Sequence, residues 1–156
     1  MRQAGRHLPE YREIREQYSF LEAVKTPEIA EEISLQPYHR YRPDGVVMFS
    51  DILTILEVLD LRYYIESGVG PVIENSISGP DEVPSTIGDV RAELGYVGSL
   101  LDRLSSRLDS ETAVIGFAGG PFTLASYAIA GESTRNHVPA RRFFRRHPRA
   151  FRELLE

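Results

Sequence analysis

The chain has 156 residues, of which 42% are hydrophobic and 26% charged, and its formal net charge is -5. This balance is typical of a globular protein and excludes a disordered or fibrous chain, so we expect one domain over residues 1–156. Because the sequence contains no cysteine, a disulfide framework, thiolate metal ligands and a cysteine nucleophile are excluded. We therefore expect a reducing, cytoplasmic setting.

The first third of the chain is predicted to place helices around a buried strand. Apolar residues at three- and four-residue steps predict a helix over 8–18. Pro27, preceded by a threonine, is typical of a helix start, and Pro37 is expected to end or kink that helix. The apolar run 46–49 predicts a buried strand, and a short helix is expected over 52–56.

The rest of the chain alternates in the same way. Residues 62–87 are richer in Gly, Pro and Ser and are predicted to be extended or to form a hairpin. Leucine and valine at helical spacing predict one long amphipathic helix over 90–108. A second buried strand is expected at 113–117, followed by a helix over 121–129 and another from Pro139 onward.

The uncharged stretch 113–131 is nearly as long as the about 20 residues of a membrane-spanning helix. A Gly-Gly-Pro sequence near its middle interrupts it, and proline removes a helical hydrogen bond. We therefore interpret it as a strand, a tight loop and a helix, and expect no membrane association.

A basic segment occupies residues 135–152, which contain seven arginines and no acidic residue. Such a segment can indicate nucleic-acid binding. Phenylalanines and leucines are interleaved with these arginines at helical spacing, which favours an amphipathic helix with a solvated arginine face. We therefore expect no nucleic-acid partner.

Strands that are buried on both faces and separated by long helices predict an α/β protein with a parallel sheet. Two strands are too few to close a sheet, and a complete barrel of alternating strands and helices takes about 250 residues. We expect the chain to be a piece of a larger protein. Ligand sites in such folds lie at the carboxyl ends of the strands.

Two groups of charged residues are candidates for function. Arg2 and Arg6 lie on either side of Gly5 with no acid among the first nine residues, which suits the binding of several carboxylates or phosphates. Surface arginines near a terminus would show the same pattern. Asp51 follows the first strand, where it could stabilise a developing cation or cap the next helix.

Small residues follow the second strand in the segment 116–122, where a ligand could approach the backbone closely. The spacing fits neither a dinucleotide fingerprint nor a P-loop. Tyr127 lies two turns into the following helix, either as a core tyrosine or as a ligand-binding phenol. The four histidines show no metal-site spacing, and we predict no metal site.

Three segments together resemble one family. MRQAGRHLPEYR at 1–12 is similar to the N-terminal signature of the uroporphyrinogen decarboxylase family, FSDIL at 49–53 to its second block and GFAGGPFTLASY at 116–127 to its third. The resemblance implies the N-terminal half of a (β/α)8 TIM barrel, no cofactor, and a cytoplasmic homodimer when full length. It also implies the decarboxylation of four acetate side chains of uroporphyrinogen III to give coproporphyrinogen III.

The same resemblance implies roles for individual residues. Arg2 and Arg6 would bind substrate carboxylates, with Gln3 and Ala4 lining the same cleft and Arg2 also a candidate proton donor. Asp51 would accept the pyrrole N–H groups. Phe117 would pack on the macrocycle, and Tyr127 would hydrogen-bond near the substrate and the aspartate.

Two alternatives stay open. One is a cobalamin- or thiol-dependent methyltransferase on a related barrel, whose zinc ligands would lie outside this sequence. The other is a non-catalytic tetrapyrrole-binding protein. For the fragment itself, half a barrel would expose sheet edges, so we expect the isolated chain to be inactive.

Overall fold

The computed structural model describes residues 5–156, in which helices alternate with short strands. The α/β class predicted from the sequence is confirmed. The chain separates into two compact units. The first contains the described residues up to Asp51 together with Leu94–Ala118, and the second contains Ile52–Glu93 and Gly119–Glu156.

The first unit begins with helices that pack on one another. The predicted first helix is confirmed as α1, Pro9–Gln17, and α3 spans Pro27–Tyr41. Between them lies α2, Phe20–Lys25, which the sequence analysis did not predict. Its start is fixed by a capping box in which Ser19 and Glu22 bond each other's backbone N–H groups.

Of the two outcomes expected at Pro37, an end or a kink, the end is wrong, because the helix continues to Tyr41. Proline inside a helix costs about 3 kcal/mol or more. Here every residue from Ile33 to Tyr38 is buried, so the packing of this turn outweighs the cost of the missing hydrogen bond.

A parallel pair of strands packs beside these helices. Strand β1, Gly45–Val47, pairs with β4, Ala113–Ile115, with Val46 opposite Val114. The backbone N–H of Met48 extends the ladder by donating to the carbonyl of Ile115 at 3.1 Å. The parallel pairing predicted from the sequence is confirmed for these two strands.

The second predicted strand differs from expectation in length and burial. It ends at Ile115 rather than at residue 117, and its side chains are not buried on both faces, since Ile115 is 46% exposed. Among the described strands β4 pairs only with β1, and α6 is the helix that packs on it. The face of β4 that carries Ala113 and Ile115 is exposed.

The long helix predicted over 90–108 is divided. Helix α5 spans Val90–Glu93, and α6 spans Gly95–Arg107. The interruption falls at Leu94, directly before Gly95, and glycine has the greatest backbone freedom to lose in a helix. Helix α6 keeps the predicted apolar face and buries Leu100 and Leu104 in the core of the first unit.

A buried carboxylate joins α3 to α6. The side chain of Glu31 is 8% exposed and accepts from Arg103 Nε at 2.6 Å and from Arg107 Nε at 3.0 Å. Arg103 also pairs with Glu28 at 2.9 Å. Two guanidinium groups thus compensate the burial of one carboxylate, as a buried charge requires.

The turn after α6 is organised by Asp109. Its carboxylate accepts from the Thr112 hydroxyl at 2.8 Å, from the Tyr38 hydroxyl at 3.0 Å and from the backbone N–H of Glu111 at 3.1 Å. The Thr112 hydroxyl, followed by the Tyr38 hydroxyl, holds the pKa of Asp109 below its ordinary value, because both donors favour the charged form.

The second unit begins with α4 and a hairpin. Helix α4 spans Thr54–Glu57, later than the predicted 52–56, and its N-cap residue is Leu53 rather than Asp51. The predicted hairpin is confirmed as β2, Tyr63–Glu66, antiparallel to β3, Gly70–Ile73. A 3-10 turn follows at Pro80–Glu82.

Three helices complete the second unit. Helix α7 spans Pro121–Ala130, so the strand, loop and helix predicted for 113–131 are confirmed. The basic segment forms α8, Val138–Arg146, and α9, Pro148–Leu155, instead of one helix. The break falls at the residue before Pro148, because a residue that precedes proline is driven away from the helical conformation.

Candidate functional site

The carboxyl ends of β1 and β4 form the edge at which the sequence places its candidate residues. Because the two strands are parallel, the segments that follow them leave the sheet on the same side. Asp51 lies four residues beyond the end of β1, and Phe117 lies two residues beyond the end of β4. In α/β folds this edge is where ligand sites form.

The segment between β1 and Asp51 is held by a buried serine of α3. Ser34, 1% exposed, accepts a hydrogen bond from the backbone N–H of Phe49 at 2.8 Å. Its hydroxyl donates to the carbonyl of Ala30 at 2.6 Å, so the Ser34 hydroxyl both accepts and donates a hydrogen bond. The backbone two residues before Asp51 is therefore fixed to the helix, and Asp51 itself is half-buried.

Arg6 lies against this same segment. Its guanidinium carbon is 5.3 Å from the centre of the Phe20 ring and 5.9 Å from that of Phe49. Cations within about 6 Å of an aromatic ring are attracted to its face. The two rings place an exposed positive charge beside the backbone that leads to Asp51.

The glycine that precedes Arg6 is required by close packing. Gly5 has φ of +76°, and a Cβ atom there would lie 2.6 Å from Cγ of Pro37. The backbone of Gly5 thus rests on the proline of α3, and its carbonyl accepts from the N–H of Leu8 at 2.8 Å. Contact with the buried Pro37 therefore fixes the position of the backbone next to Arg6.

Phe117 presents an aromatic surface at the same edge. It is 44% exposed, which is unusual for a large apolar side chain beside a sheet. The neighbouring Gly116 has no side chain, and a Cβ atom there would meet only Met48 Sδ, at 3.8 Å. Asp51 and Phe117 therefore follow the carboxyl ends of two paired strands, and Arg6 lies beside Phe49 in the segment that precedes Asp51.

Tyr127 belongs to the second unit, in the last turn of α7, and is half-buried. The start of α7 is packed tightly, since a Cβ atom on Gly119 would lie 2.6 Å from Cδ2 of Leu124. The adjacent Ser126 is buried and forms a hydrogen bond with Nδ1 of His137 at 2.7 Å. These contacts fix the helix that carries Tyr127.

The remaining predicted site residues, Arg2, Gln3 and Ala4, lie outside the described residues. Sequence reasoning missed Ser34 and the aromatic pair Phe20 and Phe49, which hold the candidate residues in place. Ser34 could have been found as a polar residue between apolar neighbours in α3. The aromatic contacts join distant parts of the chain and have no local signal in the sequence. Within residues 5–156 no group of three His, Asp or Glu side chains could hold a metal ion.

Comparison with known proteins identifies the family. The family model described as uroporphyrinogen decarboxylase (URO-D) matches residues 1–156. The chain belongs to the uroporphyrinogen decarboxylase family. The resemblance drawn from the three sequence segments is thereby confirmed.

Curated relatives agree with this assignment. Uroporphyrinogen decarboxylase of Roseiflexus sp. (strain RS-1) is 45% identical over 157 residues, which cover 100% of this chain and 45% of the relative. The proteins of the same name from Chloroflexus aurantiacus and Chelativorans sp. (strain BNC1) are 45% and 47% identical. The chain spans about 45% of the length of these members of the family.

A solved structure shows a similar fold. A methyltransferase from Methanosarcina mazei matches with a TM-score of 0.70 over 88% of this chain and 40% of its own, at 13% sequence identity. At this identity the likeness concerns the fold alone. Among residues 5–156, none of the helices combines the length and apolar character needed to cross a bilayer.

Proposed function

We propose that the protein to which this chain belongs decarboxylates the four acetate side chains of uroporphyrinogen III, giving coproporphyrinogen III and four CO2. Membership of the family supports this reaction. The structural observation that carries it is the position of Asp51 at the carboxyl end of β1, with Arg6 beside the same segment and exposed Phe117 beyond the paired strand.

The reaction requires an acceptor for an electron pair. When CO2 leaves a pyrrole acetate, the electrons of the broken bond must enter the ring, and a neutral pyrrole does not accept them. Protonation of a ring carbon creates a cation that does. The exocyclic carbon is then protonated and the ring proton is lost, so each acetate exchanges CO2 for one proton and becomes a methyl group.

Asp51 has the charge that this cation requires. A carboxylate that accepts the pyrrole N–H groups stabilises the protonated ring more than the neutral one, so it lowers the barrier rather than only binding substrate. Arg6, together with Arg2, would bind the carboxylates on the rim and orient the reacting acetate. Phe117 would pack on the macrocycle, Tyr127 would donate a hydrogen bond near it, and Gln3 and Ala4 would line the cleft.

Asp51→Asn in the complete protein tests this proposal. The amide keeps the shape of the side chain but removes its charge, so we expect turnover to fall at least about 100-fold while porphyrin binding is largely kept. Coproporphyrinogen formation is measured by chromatography after oxidation, and binding by porphyrin fluorescence. The control is Asp44→Asn, at the other end of β1, which should leave turnover unchanged. Full turnover by the Asp51 variant would refute the proposal.

The complete protein would form a (β/α)8 barrel, of which this chain supplies the described strands β1 and β4. The isolated 156-residue chain would not turn over substrate, since it spans about 45% of its relatives. The homodimer, the cytoplasmic location and the lack of a cofactor stay predictions from the family. Decarboxylation by the isolated chain would contradict this part of the proposal.

The two alternatives make different predictions. The methyltransferase likeness is one of fold, and no contact in the described residues favours that chemistry over decarboxylation. Stoichiometric zinc in the complete protein would favour a methyltransferase. A non-catalytic tetrapyrrole-binding protein would bind porphyrin but form no coproporphyrinogen.

A further inference from the structure

The arginines of α8 and α9 are exposed as a group, and none has a role in the proposed reaction. All seven between residues 135 and 152 lie at the surface: Arg135, Arg141, Arg142, Arg145, Arg146, Arg149 and Arg152. The ion pairs formed within residues 5–156 involve none of them. These guanidinium groups therefore face solvent without a carboxylate of the described chain to balance them.

Three of these arginines surround one depression. Val138, Arg141, Arg142 and Arg145 line a concavity of about 190 Å³ on α8. Relative to Val138 the arginines lie three, four and seven residues on, so all four residues share one face of the helix. The opposite face of α8 buries Ala140 and Phe143, which keeps the arginine face toward solvent.

This arrangement is unfavourable for the helix by itself. Arg141 and Arg145 are one turn apart, and Arg142 is three residues from Arg145, spacings at which like charges repel. The first turn of α8 contains no acidic residue that would offset the repulsion. A bound anion with several negative groups would relieve it, because each guanidinium presents a planar fork of donors that fits a carboxylate or a phosphate.

We propose that this face of α8 is an anion site for a compact molecule bearing two or more carboxylate or phosphate groups. The concavity is smaller than the about 300 Å³ at which ligand pockets usually begin, so it suits a small polyanion rather than a large organic ligand. The site shares no residue with the segments at the carboxyl ends of β1 and β4, and it does not depend on the proposed decarboxylation.

Calorimetric titration of the 156-residue chain tests the site, with tripolyphosphate as the phosphate probe and citrate as the carboxylate probe, at constant ionic strength. Arg141→Gln/Arg145→Gln should weaken binding of the tighter probe at least tenfold. The control, Arg62→Gln/Arg91→Gln, removes two exposed charges from the same unit and should change it less than twofold. The tighter of the two probes identifies the anionic group that the site prefers.

Several results would overturn the proposal. Equal losses in the two double variants would show that net charge, not the concavity, attracts the probes. Sulfate binding as tightly as either probe would show that multiple anionic groups are not required. A failure of both probes to bind, or tighter binding of a single-stranded oligonucleotide, would also reject a compact site.

Discussion

Replacing Ser34 by alanine tests how firmly the segment before Asp51 is held. The substitution removes the oxygen that accepts from the backbone N–H of Phe49 at 2.8 Å, in a place where the side chain is 1% exposed. A buried donor left without a partner costs about 1–3 kcal/mol. Alanine is the better helix former by less than about 0.7 kcal/mol. We therefore expect the free energy of unfolding to fall by about 0.3–3 kcal/mol.

Ser106 provides a matched control on α6. Its hydroxyl donates to the carbonyl of Asp102 at 2.8 Å, as that of Ser34 donates to Ala30, but it is exposed and no N–H of the described residues is shown donating to it. Ser106→Ala should change the free energy of unfolding by less than about 0.5 kcal/mol, as is usual for surface substitutions. The difference between the two variants measures the bond to Phe49.

Urea unfolding followed by circular dichroism gives both free energies, with the slope m as a check that the unfolded states are comparable. Hydrogen exchange adds a local measurement, since the N–H of Phe49 should exchange faster in Ser34→Ala and not in Ser106→Ala. Equal destabilisation by the two substitutions, together with unchanged exchange at Phe49, would refute the idea that Ser34 fixes this backbone.

Gly5→Ala should destabilise the chain by about 2 kcal/mol or more, since it adds the contact with Pro37 to the backbone strain of a positive φ. Gly68→Ala, with φ of +80° and nothing within 4 Å, should show the strain alone, and equal losses in urea unfolding would contradict the packing argument. The pKa of Asp109 is lowered on folding, so its contribution to stability is present above its ordinary pKa of 3.8 and is lost as the pH falls through the folded value. Asp109→Asn should therefore flatten the loss of stability below pH 3.8, which urea unfolding at a series of pH values measures.

The elements that the sequence predicted well have strong local signals. The apolar run 46–49 led to β1, and Pro27 marked the start of α3. Helix α2 was not predicted, because six residues are too few to show a helical period of hydrophobic residues. The capping-box spacing of Ser19 and Glu22 was nevertheless present in the sequence. Local patterns thus predict the elements whose stability depends on their own residues.

Burial was harder to predict than secondary structure. An apolar run such as 113–117 predicts a strand that is buried on both faces, whether or not other parts of the structure cover it. Ile115 and Phe117 are nevertheless exposed by 46% and 44%. The helix through Pro37 is the converse case, since packing there overrides a residue that ends most helices. In both cases the outcome depends on contacts with residues distant in sequence.

The candidate site depends both on local sequence motifs and on contacts between residues distant in sequence. The motifs place Arg6 and Asp51 in the sequence, but the positions of the backbone segments next to them depend on α3. That helix contacts the turn before α1 through Pro37 and the segment after β1 through Ser34. A change in α3 should therefore disturb Arg6 and Asp51 together, although neither residue is altered. Because α3 supports both segments, substitutions at Pro37 and at Ser34 should each change both carboxylate binding and turnover. Independent effects would indicate that Arg6 and Asp51 are positioned separately.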